Sequence, residues 1–308
     1  MKRALAVSLL LLLGVASLFV GPAPFSYEIL MDIRLPRVVM ALVEGAALGM
    51  SGALYQMVLR NPLADGFTTG VSSSCALGAV LAIALGLPFG AVAVISFAFG
   101  MGGLFLVYLL SRRDGVIEPV TMVLAGIVLN IVASSFIGLV KFICEESISS
   151  LVFWLMGSVY LLDFWKVLVV VALVLLSSGL LLRDLYAFNL LALDDYSAFS
   201  SGVDVSRLRT KGFVVATLLV AATVSVSGII AFVGLMVPHL VRGTVGSDAG
   251  SVLFYSGVGG GGLLLLADTL SRSLLVGGSE VPVGVITSFM GGVFFLWLMF
   301  RRSRDGWG

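Results

Sequence analysis

The fold is decided by the stretch from Pro36 to Val58, PRVVMALVEGAALGMSGALYQMV, in which Glu44 is the one charge after the second residue. A helix that crosses a bilayer needs roughly 20 apolar residues, because the hydrocarbon core is about 30 Å thick. The stretch has that length, and Gly45 and Gly49 stand at the spacing typical of closely packed membrane helices. It is therefore predicted to be a membrane-spanning helix that packs against others.

The composition of the whole chain is that of a protein embedded in lipid. Of its 308 residues, 59% are hydrophobic and 11% are charged, whereas soluble domains are about 45–50% apolar and about 25% charged. The net charge of +1 gives no sign of nucleic-acid binding. The two cysteines, Cys75 and Cys144, lie in apolar stretches and argue neither for a disulfide framework nor for a metal site.

Ten apolar runs are candidate membrane spans. They lie at 4–20, 36–58, 67–87, 89–110, 119–142, 165–182, 212–229, 230–245, 251–271 and 282–300. The chain is therefore predicted to be an all-α polytopic membrane protein of about ten transmembrane helices, with one domain over 1–308.

Three of these runs leave alternatives open. The run 4–20 follows two basic residues but exceeds the usual apolar core of a signal peptide, about 7–15 residues, so a first membrane helix is favoured over a cleaved signal. Gly234 and Pro238 interrupt the run 230–245, which favours a short or broken helix. The four glycines at 259–262 indicate either tight helix contact or a flexible break used in gating.

The distribution of basic residues predicts that both termini lie in the cytoplasm. With an inside N-terminus, the outer loops hold five of the 18 basic residues, Arg34, Arg37, Lys141, Lys166 and Arg272. The other 13 fall inside, as the positive-inside rule requires. The expected location is the cell (inner) membrane.

The sequence lacks the motifs of an enzyme. No Walker A pattern occurs, so the chain is not expected to hydrolyse ATP, and the single histidine, His239, has no partners at metal-ligand spacing. The ionisable groups within or beside the spans are Glu44, His239, Asp268 and Glu280. Each is either a satisfied contact inside the bundle or part of a proton relay, and an ion-coupled secondary transporter therefore stays as the alternative function.

Arginines and polar segments at the span ends carry the more specific signals. Arg34, Arg37 and Arg272 lie on the predicted outer face, where they contact lipid headgroups or an anionic docking partner. The segment 60–65 follows the second span and is either an ordinary loop or a pore constriction. The long polar interval 184–211 is predicted to contain two short helices that suit contact with a cytoplasmic protein.

At these residues the sequence resembles the iron-siderophore, haem and cobalamin (FecCD-type) permeases of ABC importers. The matching motifs follow in family order: Arg34-Leu-Pro-Arg37, Glu44-Gly-Ala-Ala-Leu48 with Ser51-Gly52 and Gln56, Asn61-Pro-Leu-Ala-Asp65, Gly70-Val-Ser-Ser73, Leu124-Ala-Gly126, Trp154-Leu-Met-Gly157, Ala231-Phe-Val-Gly-Leu-Met-Val-Pro-His-Leu-Val-Arg242, Leu266-Ala-Asp268, Arg272 and Glu280-Val-Pro-Val-Gly284.

The resemblance implies a type II ABC importer permease that works by alternating access. It implies a homodimer in membrane lipid, two ATP-binding cassette subunits that bind ATP-Mg, and a periplasmic or lipid-anchored substrate-binding protein. No cofactor or metal is expected in this chain itself. The implied cargo is a metal chelate; family frequency favours an iron-siderophore and leaves haem, cobalamin and molybdate open.

The resemblance also implies roles for individual residues. Arg34, Arg37 and Arg272 would receive acidic residues of the binding protein, and Asn61 and Leu63 would form a cytoplasmic gate. The segment at about 190–211 would couple to the ATPase through a pair of helices over 192–210, with the named residues Asp194, Asp195, Gly202, Val203, Asp204 and Arg207. The chain departs from the family at Leu193-Asp194-Asp195, where Leu-Gly-Glu is usual, and at Ser197–Gly202, Gly66 and Ser74.

Overall fold

The computed structural model describes residues 2–21, 26–113, 116–144, 148–159, 164–275 and 280–304. Within these ranges the chain forms thirteen α-helices: α1 Lys2–Leu18, α2 Leu35–Val58, α3 Val71–Ala84, α4 Phe89–Ser111, α5 Pro119–Ile143, α6 Ile148–Leu155, α7 Phe164–Gly179, α8 Leu185–Leu193, α9 Asp195–Ser200, α10 Val205–Ser227, α11 Val233–Thr244, α12 Ala249–Ser273 and α13 Val283–Arg304. A π-helical segment, Ile29–Arg34, leads into α2, and Arg112–Arg113 (β1) pairs antiparallel with Val116–Ile117 (β2).

Six helical stretches of the described chain are long and apolar enough to cross a membrane. They are Ile29–Val58, Phe89–Ser111, Pro119–Ile143, Val205–Ser227, Ala249–Ser273 and Val283–Phe300. Four shorter helices, α1, α3, α7 and α11, coincide with the remaining predicted spans. The prediction of about ten transmembrane helices is therefore confirmed, with the shorter ones completing the bundle.

The apolar run over 212–241 is broken near its middle. Gly228 has φ 70° and ψ −158°, a backbone region that is essentially restricted to glycine, so α10 ends at Ser227. Phe232 is left-handed at φ 68°, and the 12-residue helix α11 begins after it, with Pro238 inside. The expected short or broken helix is thus present as α11.

The centre of the fold is the crossing of α2 with α12 and α11. A Cβ on Gly49 would lie 2.1 Å from the carbonyl oxygen of Ser256, and one on Gly45 would lie 2.3 Å from that of Gly260. On the α11 side, a Cβ on Gly52 would lie 1.8 Å from the carbonyl oxygen of Gly234. Glycines therefore allow backbone to pack on backbone, and, because α12 runs unbroken through 259–262, tight contact is the correct alternative for that run.

A second close junction joins the end of α6, the break after α10 and the start of α13. The N–H of Ser158 donates to the carbonyl of Ser227 (2.8 Å), and the N–H of Gly284 donates to that of Gly157 (3.1 Å). The Ser227 hydroxyl also donates to Oε1 of Glu44 on α2. Two sequence motifs, at 154–157 and 280–284, thus serve to bring these segments together.

Candidate functional site

Arg37 forms the centre of an ion-pair network at one end of the bundle, called here the Arg37 end. Its Nε donates to Oδ1 of Asp268 on α12 (2.9 Å), and its two Nη groups donate to both carboxylate oxygens of Glu280 (3.0 and 2.7 Å). The Asp268 side chain is fully buried, whereas that of Glu280 is 37% exposed. Such bidentate, charge-assisted contacts are strong and directional, so the network ties α2, α12 and the start of α13 together.

Arg34 and Arg272 lie beside this network and bind the end of α1. Arg272 contacts Asp268 (3.1 Å), and its Nη groups donate to the Ser17 hydroxyl (2.9 Å) and the Val20 carbonyl (3.1 Å). Arg34 donates to the Leu18 carbonyl (2.8 Å). The structure therefore brings the three predicted docking arginines together, but each is buried and held by partners within the chain.

The ionisable groups that the sequence left open are held in different ways. Asp268 and Glu280 are ion-pair partners of Arg37, which favours a contact inside the bundle over a proton relay. Oδ2 of Asp268 has no hydrogen-bond partner among the described residues. Glu44 is fully buried; Oε1 accepts from Ser227, and Oε2 has no hydrogen-bond partner among the described residues.

His239 packs edge-on against Phe294 at 5.9 Å between ring centroids. Within the described ranges, no cluster of three or more His, Cys, Asp or Glu side chains could hold a metal ion.

The loop 59–65, called here the gate loop after its predicted role, follows α2 at the opposite end of the bundle, the Asp195 end. Arg60 is left-handed, at φ 46°. Oδ1 of Asn61 accepts from the N–H of Leu63 (2.9 Å), which closes an Asx turn and leaves the Leu63 side chain 55% exposed. Burial raises the pKa of Asp65, while hydrogen bonds from Thr68 and Phe67 act in the opposite direction.

The interval 184–211 contains two short helices, α8 and α9, before α10 begins. Asp194 caps α9 by accepting from the N–H of Ser197 (2.7 Å), and this bond lowers the pKa of the Asp194 carboxyl. Gly202, at φ 82°, ends α9: its N–H donates to the Phe199 carbonyl, and the N–H of Val203 donates to that of Ala198. The start and stop signals read from the sequence are confirmed.

The bounds of the helix pair differ from the expectation. The two short helices are Leu185–Leu193 and Asp195–Ser200, whereas the range 192–210 was expected to hold both. Asp204 caps the next helix, accepting from the N–H of Arg207 (3.0 Å), so 205–210 already belongs to the long helix α10. The pair thus starts earlier, because the apolar sequence LYAFNLLAL continues as a helix after the turn at Asp184.

Arg209 is a structural centre of the Asp195 end, although the sequence pattern marks it only as a basic residue on the predicted inner side. Its side chain is 1% exposed, and it donates to the carbonyls of Val58 (3.2 Å) and Ile117 (2.8 Å) and to Oδ1 of Asp195 (2.8 Å). Arg60 contacts the same Asp195 oxygen at 3.2 Å. The carbonyl partners have no sequence signal, because any residue presents a carbonyl.

Comparison with known proteins finds similarity over nearly the whole chain. The model of the FecCD transport family matches residues 5–301. The chain is 37% identical over 288 residues to the hemin transport system permease protein of Yersinia pestis, covering 91% of this chain and 85% of that protein. It is 35% identical over 285 residues to the molybdate import system permease protein of Haemophilus influenzae, covering 92% and 84%. A solved metal-chelate type ABC transporter in an inward-facing conformation matches with a TM-score of 0.90 and 34% identity, covering 97% of this chain and 99% of that one.

Proposed function

The chain belongs to the FecCD transport family, and we propose that it is the membrane-spanning permease subunit of a binding-protein-dependent ABC importer for a metal chelate. The observation that carries this proposal is the match of 97% of the chain, at a TM-score of 0.90, to a metal-chelate type ABC transporter. The fold is that of a type II ABC importer permease. An ion-coupled carrier is disfavoured because Arg37 neutralises two of the carboxylates, Asp268 and Glu280, that a relay would use.

The proposed assembly contains two copies of this chain, two ATP-binding cassette subunits and one substrate-binding protein, periplasmic or lipid-anchored. ATP-Mg binds to the cassette subunits. Several apolar side chains along α5, such as Leu124, Ile131 and Phe136, are more than half exposed, which suits contact with lipid or with the second copy.

The proposed orientation places the Arg37 end outside the inner membrane and the Asp195 end in the cytoplasm, with both termini cytoplasmic. The excess of basic residues in the loops assigned to the inside supports it. The binding protein would then dock at the Arg37 end, near Arg34, Arg37 and Arg272. The cassette subunits would bind α8, α9 and the residues that follow α9, up to Arg207.

The proposed mechanism is alternating access. ATP binding closes the cassette pair, the coupling segment moves with it, and the helices around the dimer axis switch which side of the membrane reaches the cargo path. Asn61 and Leu63 would narrow that path at the cytoplasmic side. The cargo is transported without chemical change.

The proposed cargo is a metal chelate, with an iron chelate as the first choice by family frequency. A hemin and a molybdate permease are similarly close to this chain, at 37% and 35% identity. Identity at this level therefore does not decide between haem, iron-siderophore, cobalamin and molybdate, and the binding protein is proposed to select among them.

The test of this function is association with a cassette ATPase. Tyr196 and Phe199 on α9 are 80% and 73% exposed, as expected for anchors in an unoccupied contact surface. Changing Tyr196→Ala with Phe199→Ala is expected to weaken co-purification of the ATPase by more than about tenfold, since truncating such anchors costs about 2 kcal/mol or more.

The matched control is Phe142→Ala, which removes an 81% exposed aromatic side chain from the last turn of α5, a helix that starts beside the Asp195 end and runs away from it. It should leave co-purification unchanged. If the wild-type chain binds no ATPase, the proposed function is wrong. If both variants behave alike, the assignment of this face to the ATPase is wrong.

A further inference from the structure

We infer that Asp195 is a positioning residue that links the ATPase-facing helix α9 to the gate loop, and that it is not itself an ATPase contact. The inference rests on the proposed function, in which α9 lies against a cassette subunit. It assigns a direction to the side chain of Asp195, inward to the permease, and names the groups through which displacement of α9 would reach Leu63.

The Asp195 carboxylate contacts two arginines through a single oxygen. One oxygen, Oδ1 of Asp195, lies 2.8 Å from Nη2 of Arg209 and 3.2 Å from Nη2 of Arg60. Asp195 is the first residue of α9 and follows the cap residue Asp194, so the start of the helix is held through this side chain. Two guanidinium groups from different segments thus meet at a single point of the coupling segment.

The two arginines, Arg209 and Arg60, are anchored differently. Arg209 is almost fully buried and is bound to the carbonyl of Val58, the last residue of α2, and to the carbonyl of Ile117 in β2. Arg60 has a side chain that is 34% exposed and belongs to the gate loop itself. Arg209 therefore ties Asp195 to the end of α2 and to β2, whereas Arg60 ties it to the gate loop.

The backbone at Arg60 is strained. A non-glycine residue with φ 46° is uncommon and persists where its surroundings hold it. The next residue, Asn61, closes the turn that presents Leu63. A change in the Arg60–Asp195 pair therefore acts directly on the backbone that positions the proposed gate side chain.

The side chains of α9 differ in their exposure. Tyr196 and Phe199 project outward, whereas Ala198 is fully buried against the rest of the chain. Asp195 stands between these two sides: its side chain is 43% exposed, and its carboxylate binds groups of α10 and the gate loop. The side chains of Tyr196 and Phe199 thus suit the partner ATPase, whereas the Asp195 carboxylate is engaged within the permease.

The experiment uses the permease assembled with its ATPase and carrying the changes Leu63→Cys and Cys144→Ser. Cys75 is fully buried, so Leu63→Cys supplies the reactive thiol. The rate at which a water-soluble maleimide labels this thiol is measured with and without ATP-Mg. In the otherwise unchanged protein the two rates are expected to differ severalfold.

Asp195→Asn is expected to retain normal ATPase association but to reduce the nucleotide-dependent change in labelling to less than about a third of its original size. Arg60→Gln, at an exposed side chain, should do the same and serves if Asp195→Asn folds poorly. Glu118→Gln is the matched control: it neutralises an exposed carboxylate outside the gate loop and the coupling segment, and glutamine still accepts from the Thr121 hydroxyl. It should leave the labelling response intact.

Three results would overturn the inference: loss of ATPase association in Asp195→Asn to the extent seen in the Tyr196→Ala, Phe199→Ala variant, a full labelling response in Asp195→Asn and Arg60→Gln, or no response in the assembled starting protein. Absence of any ATPase association in the starting protein would instead contradict the proposed function. The two failures are therefore distinguishable.

Discussion

Replacing Gly49 with valine is expected to reduce the yield of folded protein in the membrane by about tenfold or more. A Cβ at this position lies 2.1 Å from the carbonyl oxygen of Ser256 and would also approach Cα of Gly260, at 3.3 Å. Both neighbours are backbone atoms of α12, so no side-chain rotation relieves the overlap and the helices must separate. Overpacking of a well-packed core costs typically about 1–3 kcal/mol even when side chains adjust.

The yield of folded Gly49→Val is measured as the monodisperse fraction after solubilisation in mild detergent. Gly102→Val is the control, because a Cβ on Gly102 of α4 meets nothing within 4 Å. Both changes lower flexibility and add the same side chain, so a difference isolates the helix crossing. Equal yields for the two variants would show that α2 and α12 do not pack as described.

The second large effect is expected from Arg37→Glu. The change removes one of the two arginines that contact the fully buried Asp268, leaves Arg272 as its other partner, and places a new carboxylate beside Asp268 and Glu280. Breaking a buried ion pair from one side costs about 3–5 kcal/mol, and this change also adds a like charge. The unfolding temperature in detergent should fall steeply, and much of the protein should fail to fold.

Arg112→Glu, at an exposed arginine of β1, is the control and should change the unfolding temperature little. If Arg37→Glu is as stable as this control, the Arg37 network contributes nothing to folding. A stable Arg37→Glu that binds the substrate-binding protein poorly would instead favour the docking role. Docking measurements on any of the three arginines therefore need a stability measurement on the same variant.

Much of the bundle could be predicted because a bilayer imposes strict requirements on sequence. Every span must be apolar, so the runs at 89–110, 119–142 and 251–271 coincide closely with α4, α5 and α12. Turn chemistry is also local, which is why Asp194 and Gly202 predict the start and end of α9. Such features depend on a few neighbouring residues and on the surrounding lipid.

The pairing of charges could not be predicted in the same way. Arg37 reaches Asp268 and Glu280 across 231 and 243 residues of sequence, and no local pattern joins them. The outer position of the arginines favoured an exposed docking surface, yet the fold supplies carboxylates and carbonyls that bury them. Arg209 is a similar case, since two of its partners are backbone carbonyls.

The most direct test of the central claim is transport by the purified complex of permease, cassette ATPase and binding protein reconstituted into liposomes. Uptake of a radiolabelled iron chelate, with haem, cobalamin and molybdate in parallel, is measured with enclosed ATP-Mg and then with a proton or sodium gradient alone. At least one of these metal cargoes is expected to enter in a way that requires ATP hydrolysis and persists when the ion gradients are collapsed. Uptake that continues without ATP and follows the ion gradient would contradict the proposed ABC importer.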